Sequence, residues 1–360
     1  MTREQEEMRN EVAVVTGATG FIGAHVVKHL LDKGYVVRCC VRDPSNKNKV
    51  GFLENLAKEK KNTGAVKFYR SDLLELGSFD EACEGADVVV HSAAVVDLTG
   101  QNNDLVVQAA VEGTKNVVGA AVKAKTVKRV VLISSVSAIL DMDKPTNYVF
   151  TEKDFNLYST PENGDAYGYA KRVSEEIFWD TTKAAGLEGV AINPAMVLGP
   201  ALAKEHCNGT IAPIHLMLSG VKEGKIPSYK MYHSKLRFVD VRDVAKATVN
   251  ALSSDAAVGK RHLLCNDEMP HTFSELLPFL SSACPDHSFH IPVEEPTEEQ
   301  KVEESNSFFK KYINRTGPIY SNKASKGEEG LVRGGYLSMQ DTLAGTTESL
   351  VTLSDALKMK

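Results

Sequence analysis

The chain has 360 residues, with 42 Lys+Arg against 47 Asp+Glu and a formal charge of −5. That balance excludes a surface built to coat nucleic acid or an anionic membrane. With 42% hydrophobic and 25% charged residues, the composition is that of an ordinary globular protein. At roughly 100–200 residues per domain, two domains are expected. No apolar run approaches the roughly 20 residues of a transmembrane helix. The start, MTREQEEMRNE, lacks the apolar centre of a secretory signal, so a cytoplasmic location off the membrane is expected.

Strand and helix patterns alternate from residue 11 onward. Residues 11–16 (EVAVVT) form a Val-rich run that suits a strand buried on both faces of a parallel sheet. Helical spacing follows over 21–33, ending before Gly34. Further strands are expected at 35–41, 65–69, 86–91 and 129–133, with a helix over 105–122 between the last two. A second long helix is expected over 166–185, then a strand over 189–193. This alternation implies an α/β fold, a Rossmann-type doubly wound parallel sheet with a smaller C-terminal substrate-binding region. The expected boundaries are an N-terminal extension over 1–10 and a dinucleotide-binding domain over 11–200. Residues 201–360 form the substrate-binding region, with about 236–265 returning to the first domain.

Beyond residue 200 the pattern loosens. Helices are expected at 211–219, 241–253 and 273–284, and a strand at 261–265. The acidic stretch 294–304 reads as a solvated helix face or loop. Residues 321–335, rich in Gly, Ser and Lys, are expected to be poorly ordered. The six cysteines contain no C-x-x-C pair and read as reduced, buried thiols. His25 and His29 have H-x-x-x-H spacing but no third ligand, so they read as helix-surface residues and no metal is expected.

Gly17-Ala-Thr-Gly20-Phe-Ile-Gly23 sits between a strand and a helix, the context in which a glycine pattern is informative. The first glycine permits a tight turn, the second lets the backbone approach a pyrophosphate, and the third allows close helix–strand packing. Amides of the glycine turn and the helix start, those of Thr19, Phe21 and Ile22 among them, would then face phosphate. The G-x-x-G-x-x-G spacing is one residue longer in its first gap than G-x-G-x-x-G.

Three motifs in order, TGATGFIG at 16–23, YGYAK at 167–171 and FVDVRDVA at 238–245, resemble the extended short-chain dehydrogenase/reductases. The resemblance covers roughly residues 11–265. VRDP at 41–44 and LISSVSAIL at 132–140 are most similar to the branch of dihydroflavonol, aldehyde (methylglyoxal) and 3β-hydroxysteroid enzymes. It implies a nicotinamide-dependent reduction of an aldehyde or ketone, reversible to the alcohol.

An acid usually closes the second strand when the cofactor is NAD, binding the ribose 2′-hydroxyl. Here Val41 takes that place, Arg42 follows, and Lys47 and Lys49 lie nearby. A guanidinium complements a 2′-phosphate, which favours NADP(H); Asp43 is the competing NAD acid. By resemblance, Asp72 and Leu73 flank the adenine. Ser92, Ala93 and Ala94 pass under the ribose and pyrophosphate, with His91 a strand-end residue without a catalytic part. Pro194 and Val197 line the nicotinamide. Asp240 and Asp243 read as braces for the helix that follows.

Tyr167 and Lys171 are four apart, which stacks them on one helix face. A tyrosine near its ordinary pKa of about 10 relays protons poorly near neutrality unless a cation stabilises its phenolate. Lys171 supplies that cation, making Tyr167 the general acid for reduction. Resemblance selects Ser135 to polarise the substrate oxygen, with Ser137 as the alternative. Two departures stand out. Ala110 occupies the place of a relay asparagine, and Leu140 that of a substrate-sensing asparagine in dihydroflavonol reductases. Alternatives are a sterol 3β-dehydrogenase, a sugar-nucleotide epimerase or dehydratase, and a non-catalytic NADPH sensor. The expected partner is a small carbonyl or alcohol substrate rather than nucleic acid or a membrane, and the chain is expected as a monomer or homodimer.

Overall fold

A computed structural model describes residues 11–59, 66–95, 102–219, 235–268, 271–289 and 317–354. The expectations for 1–10 and 294–304 lie outside these residues. The elements run β1 Val12–Thr16, α1 Phe21–Asp32, β2 Val36–Val41, α2 Lys47–Glu59, β3 Val66–Arg70, α3 Asp80–Cys83 and β4 Val88–His91. Then come α4 Asn103–Ala124, β5 Arg129–Ile133, β6 Val149–Phe150, α5 Ala166–Ala185, β7 Glu188–Pro194, β8 Met196–Leu198, α6 Ala212–Ser219 and β9 Phe238–Asp240. The rest are α7 Val241–Ala251, β10 Arg261–Leu264, α8 Leu277–Ala283, β11 Ile319–Tyr320, α9 Lys323–Lys326 and α10 Met339–Leu353.

Seven strands form one sheet in the order β10-β7-β5-β4-β1-β2-β3. The pairs β1–β2, β1–β4, β2–β3, β4–β5 and β5–β7 all run parallel. Valines fill the central strands because both faces of a parallel sheet are covered and a β-branched side chain suits the pleat. Val14, Val89, Val130 and Leu132 pack with Val117, Val118 and Phe178 in one buried cluster. Chain order reverses between β1 and β4, so the loops at their carboxyl ends flank the crevice where ligands of such sheets bind.

The chain divides into two compact units. The first comprises the described parts of Met1–Ser134, with Ala170–Ile192 and Ala245–His262. The second comprises Ser135–Tyr169 and the described parts of Asn193–Val244 and Leu263–Lys360. In the second unit β8 pairs with β9, and β6 with β11, both in parallel. Helix α10 supplies side-chain hydroxyls to the segment after β8: Thr346 Oγ1 accepts from the Gly199 amide at 2.9 Å, and Ser349 Oγ from Ala201 at 2.8 Å.

Three expectations need correction. Residues 321–335 carry α9 and bury Leu331 and Val332, because hydrophobic anchoring outweighs the loop-like composition around them. The helix expected over 273–284 is a 3₁₀ turn, Ser274–Leu276, followed by α8 with Pro278 in its first turn, where a missing amide costs nothing. His25 is buried, packed edge-on against Phe21 with ring centroids 5.8 Å apart. All six cysteines are free thiols; five are buried and Cys284 is half-buried.

Candidate active site

The first unit holds the glycine turn. Gly17 has φ +65°, and a Cβ there would lie 2.8 Å from the Ala93 Cα, so only glycine fits. Its carbonyl accepts from the Gly20 amide at 2.9 Å and closes the turn. A Cβ on Gly23 would sit 2.2 Å from that same carbonyl oxygen, which explains the third glycine. Gly20 is exposed and caps α1 without any side-chain bond, and the first turn of α1 holds no acid. An uncapped helix start with an open approach suits an anionic phosphate. Thr19, Phe21 and Ile22 are half-buried around it.

Thr16 joins this turn to the end of β4. Its hydroxyl oxygen accepts from the Ser92 amide at 3.2 Å and the Ala93 amide at 3.1 Å, and lies 2.9 Å from His91 Nδ1. With the oxygen's acceptor positions used by two amides, the hydroxyl proton points at Nδ1 and the ring carries its proton on Nε2. Burial, aided by the charge of Lys171, pushes the His91 pKa down to about 3. His91 is therefore a neutral strut, and Ala94 is exposed just beyond it.

After β2, Arg42 and Lys49 are exposed. Asp43 accepts from the Ser45 amide at 2.9 Å and the Ser45 hydroxyl at 2.6 Å, which holds its carboxyl below the usual range. After β3, Asp72 caps its own turn by accepting from the Leu74 amide at 2.9 Å. Leu73 is half-buried over α4, where a Cβ on Gly113 would come within 2.7 Å of its Cδ2. Asn116 Nδ2 donates to the Leu73 carbonyl at 2.8 Å.

Lys171 stands on α5, and its Nζ donates to the Ile133 carbonyl at 3.3 Å. Burial lowers its pKa to about 8, against the opposing pull of Glu175. Glu175, entirely buried, accepts from the Ser134 hydroxyl at 2.6 Å and pairs with Arg261.

In the second unit, Ser135 and Tyr167 hydrogen-bond through their side chains. Ser135 Oγ also accepts from the Ser137 amide at 3.1 Å, so Ser135, not Ser137, presents its hydroxyl to the phenol. Burial raises Tyr167 to about 12; the Ser135 bond opposes that rise and Asp165 adds to it. Asn193 Nδ2 donates to the Ser135 carbonyl at 3.2 Å. Pro194 is buried at the end of β7, and Val197 is buried opposite Val239. Asp240 does brace the start of α7, accepting from the Arg242 amide at 2.7 Å. Asp243 instead accepts from the Leu337 amide at 2.9 Å.

Sequence reasoning passed over the support beneath Tyr167. Asp165 caps α5 by accepting from the Gly168 amide at 2.9 Å, and Ser159 donates its hydroxyl to the same carboxylate. Asn156 Nδ2 then reaches Ser159 Oγ at 2.6 Å and the Ser137 carbonyl at 2.8 Å. An aspartate just before a helical pattern is a capping signal, and it stood in the sequence. Among the described residues, no cluster could hold a metal ion, and no helix is long and apolar enough to cross a membrane.

Residues 13–265 match the model of the NAD dependent epimerase/dehydratase family. The chain belongs to that family. Within it, the chain is 33% identical over 289 residues to tetraketide alpha-pyrone reductase 2 of Arabidopsis thaliana, covering 77% of this chain and 84% of that protein. It is 36% identical over 284 residues to cinnamoyl-CoA reductase 1 of Petunia hybrida, covering 77% and 78%. Among solved structures, the yeast methylglyoxal/isovaleraldehyde reductase complexed with NADPH superposes with a TM-score of 0.75 at 25% identity, covering 95% and 98%. The family's extended short-chain fold accounts for the sheet order and the glycine turn together.

Proposed function

We propose that the protein is an NADPH-dependent reductase of an aldehyde or ketone, with Ser135, Tyr167 and Lys171 as its catalytic residues. The observation that carries this reading is the hydrogen bond between Tyr167 and Ser135, with Lys171 one turn further along the same helix. Reductases among its relatives and the NADPH held by the yeast enzyme support it.

Gly17, Gly20 and Gly23 would seat the pyrophosphate at the start of α1, and Ser92 and Ala93 would pass beneath it. Arg42 and Lys49 would take the 2′-phosphate, since Asp43 is occupied by Ser45. When bound, the reduced nicotinamide supplies a hydride to the carbonyl carbon. Ser135 orients the carbonyl oxygen, and Tyr167 passes its phenolic proton to the forming alkoxide. Lys171, charged below about pH 8, lowers the cost of the phenolate that Tyr167 becomes.

The free thiols suit a reducing compartment such as the cytoplasm. The test is NADPH oxidation across short aldehydes, α-dicarbonyls, aryl ketones and 3-ketosteroids, with NADH in parallel. Turnover of at least one carbonyl is expected, and NADPH is preferred. No turnover alongside tight NADPH binding contradicts the reading.

A further inference from the structure

Lys171 and Glu175 occupy successive turns of α5, and they grip successive residues of one strand end. Lys171 Nζ donates to the Ile133 carbonyl at 3.3 Å, and Ser134 Oγ donates to Glu175 Oε2 at 2.6 Å. Glu175 is fixed from two further sides. Trp179 Nε1 donates to Oε1 at 3.3 Å, and Arg261, at the start of β10, pairs through Nε with Oε1 and through Nη2 with Oε2 at 3.3 Å. The Arg261 side chain is only 7% exposed and that of Glu175 is fully enclosed. A carboxylate buried this deeply is tolerated only when its oxygens are satisfied and its charge is matched.

We propose that Glu175 is the residue that positions Lys171 and supplies the counter-charge for its ammonium. This rests on the reading of Lys171 as the lysine of a reductase. The carboxylate is locked to the same strand end as the lysine, so the helix cannot turn or slide without breaking both bonds. Burial works to strip the proton from Lys171, and Glu175 works to keep it. The other charged or titratable groups set around this pair are His91 on β4, neutral at its strand end, and Arg261 on β10. Arg261 holds Glu175 in place, and burial set against Glu175 leaves Lys171 at about 8, still mostly charged at neutrality.

The test reads Lys171 directly. Its rate of acylation by acetic anhydride, followed by peptide mass spectrometry across pH, gives the midpoint at which it loses its proton without any cofactor present. In Glu175→Gln that midpoint moves to lower pH by about one unit, the size of effect that losing a nearby opposite charge has. The alkaline limb of kcat moves in the same direction while KM stays within about twofold of wild type. Glu175→Asp, which keeps the charge, restores most of the shift. An unmoved midpoint in Glu175→Gln overturns the proposal, because a purely structural residue would change thermal stability alone. Removing one member of a buried pair can unfold a protein, so Ser134→Ala is measured too. It removes one bond to the carboxylate without unpairing Arg261, and kcat falls severalfold at unchanged KM. A wild-type kcat there also overturns the proposal. Wild-type turnover in Tyr167→Phe would instead sink the reductase reading, leaving the acylation midpoint to decide Glu175 by itself.

Discussion

The Asp43 carboxylate is turned back on its own loop, 2.9 Å from the Ser45 amide and 2.6 Å from the Ser45 hydroxyl. An acid satisfied in this way is a poor partner for a ribose 2′-hydroxyl. The neighbouring Arg42 and Lys49, both exposed, are the cations we propose for a 2′-phosphate.

Arg42→Ala therefore weakens NADPH binding about 10- to 100-fold, the worth of one charge-assisted, potentially bidentate contact. NADH affinity changes little. Calorimetric titration of both cofactors into both proteins checks this, and equal losses for the two would contradict it.

His91 makes acid stability a property of the cofactor crevice. Its folded pKa of about 3 lies below its ordinary 6.5, so the unfolded chain takes up the proton first. Stability from the neutral ring is complete above pH 6.5 and is lost as pH falls toward 3. The loss is on the order of a few kcal/mol. His91→Asn, which keeps an acceptor near Thr16, flattens that slope in urea unfolding at pH 4 to 7. An unchanged slope would show that His91 is not its source.

Asp165→Ala removes the cap of α5 and the anchor of Ser159 and Asn156. A lost cap alone costs roughly 1 kcal/mol, and the stranded buried polar groups add about as much again. Lower thermal stability is expected, and with it a kcat reduced about tenfold, because the turn carrying Tyr167 loosens from the Ser135–Ala138 segment. A stability loss with intact kcat would separate the cap from the chemistry.

Gly113→Ala drives a methyl group into Leu73, where the ideal Cβ position is 2.7 Å from Cδ2. Overpacking of this kind costs roughly 1–3 kcal/mol. The loop after β3 shifts with it, so NADPH affinity falls as well. An affinity equal to wild type would show that Leu73 does not touch the adenine side.

Much of this was legible in the residues. Val-rich runs marked β1, β4 and β5 because strands buried on both faces need no alternation. Apolar spacing marked α1, α4 and α5 to within two residues at each end. Helix α2 escaped notice because its sequence, KNKVGFLENLAKE, buries only Val50, Leu53 and Ala57. Strands β6, β8 and β11, at two or three residues each, are too short to carry a period. The site divides in the same way. Local patterns announced Gly17, Tyr167 and Lys171. The partnerships of Thr16 with His91, Gly113 with Leu73 and Glu175 with Arg261 span 40 to 86 residues of sequence, and only folding brings them together.

The most direct test compares wild type with Tyr167→Phe, using NADPH oxidation with the best carbonyl substrate and calorimetry for NADPH binding. Tyr167→Phe is expected to bind NADPH within a few-fold of wild type while kcat falls by about two to four orders of magnitude, the usual worth of a positioned general acid. A variant that binds NADPH and turns over as fast as wild type would contradict the account, and place the proton donor elsewhere.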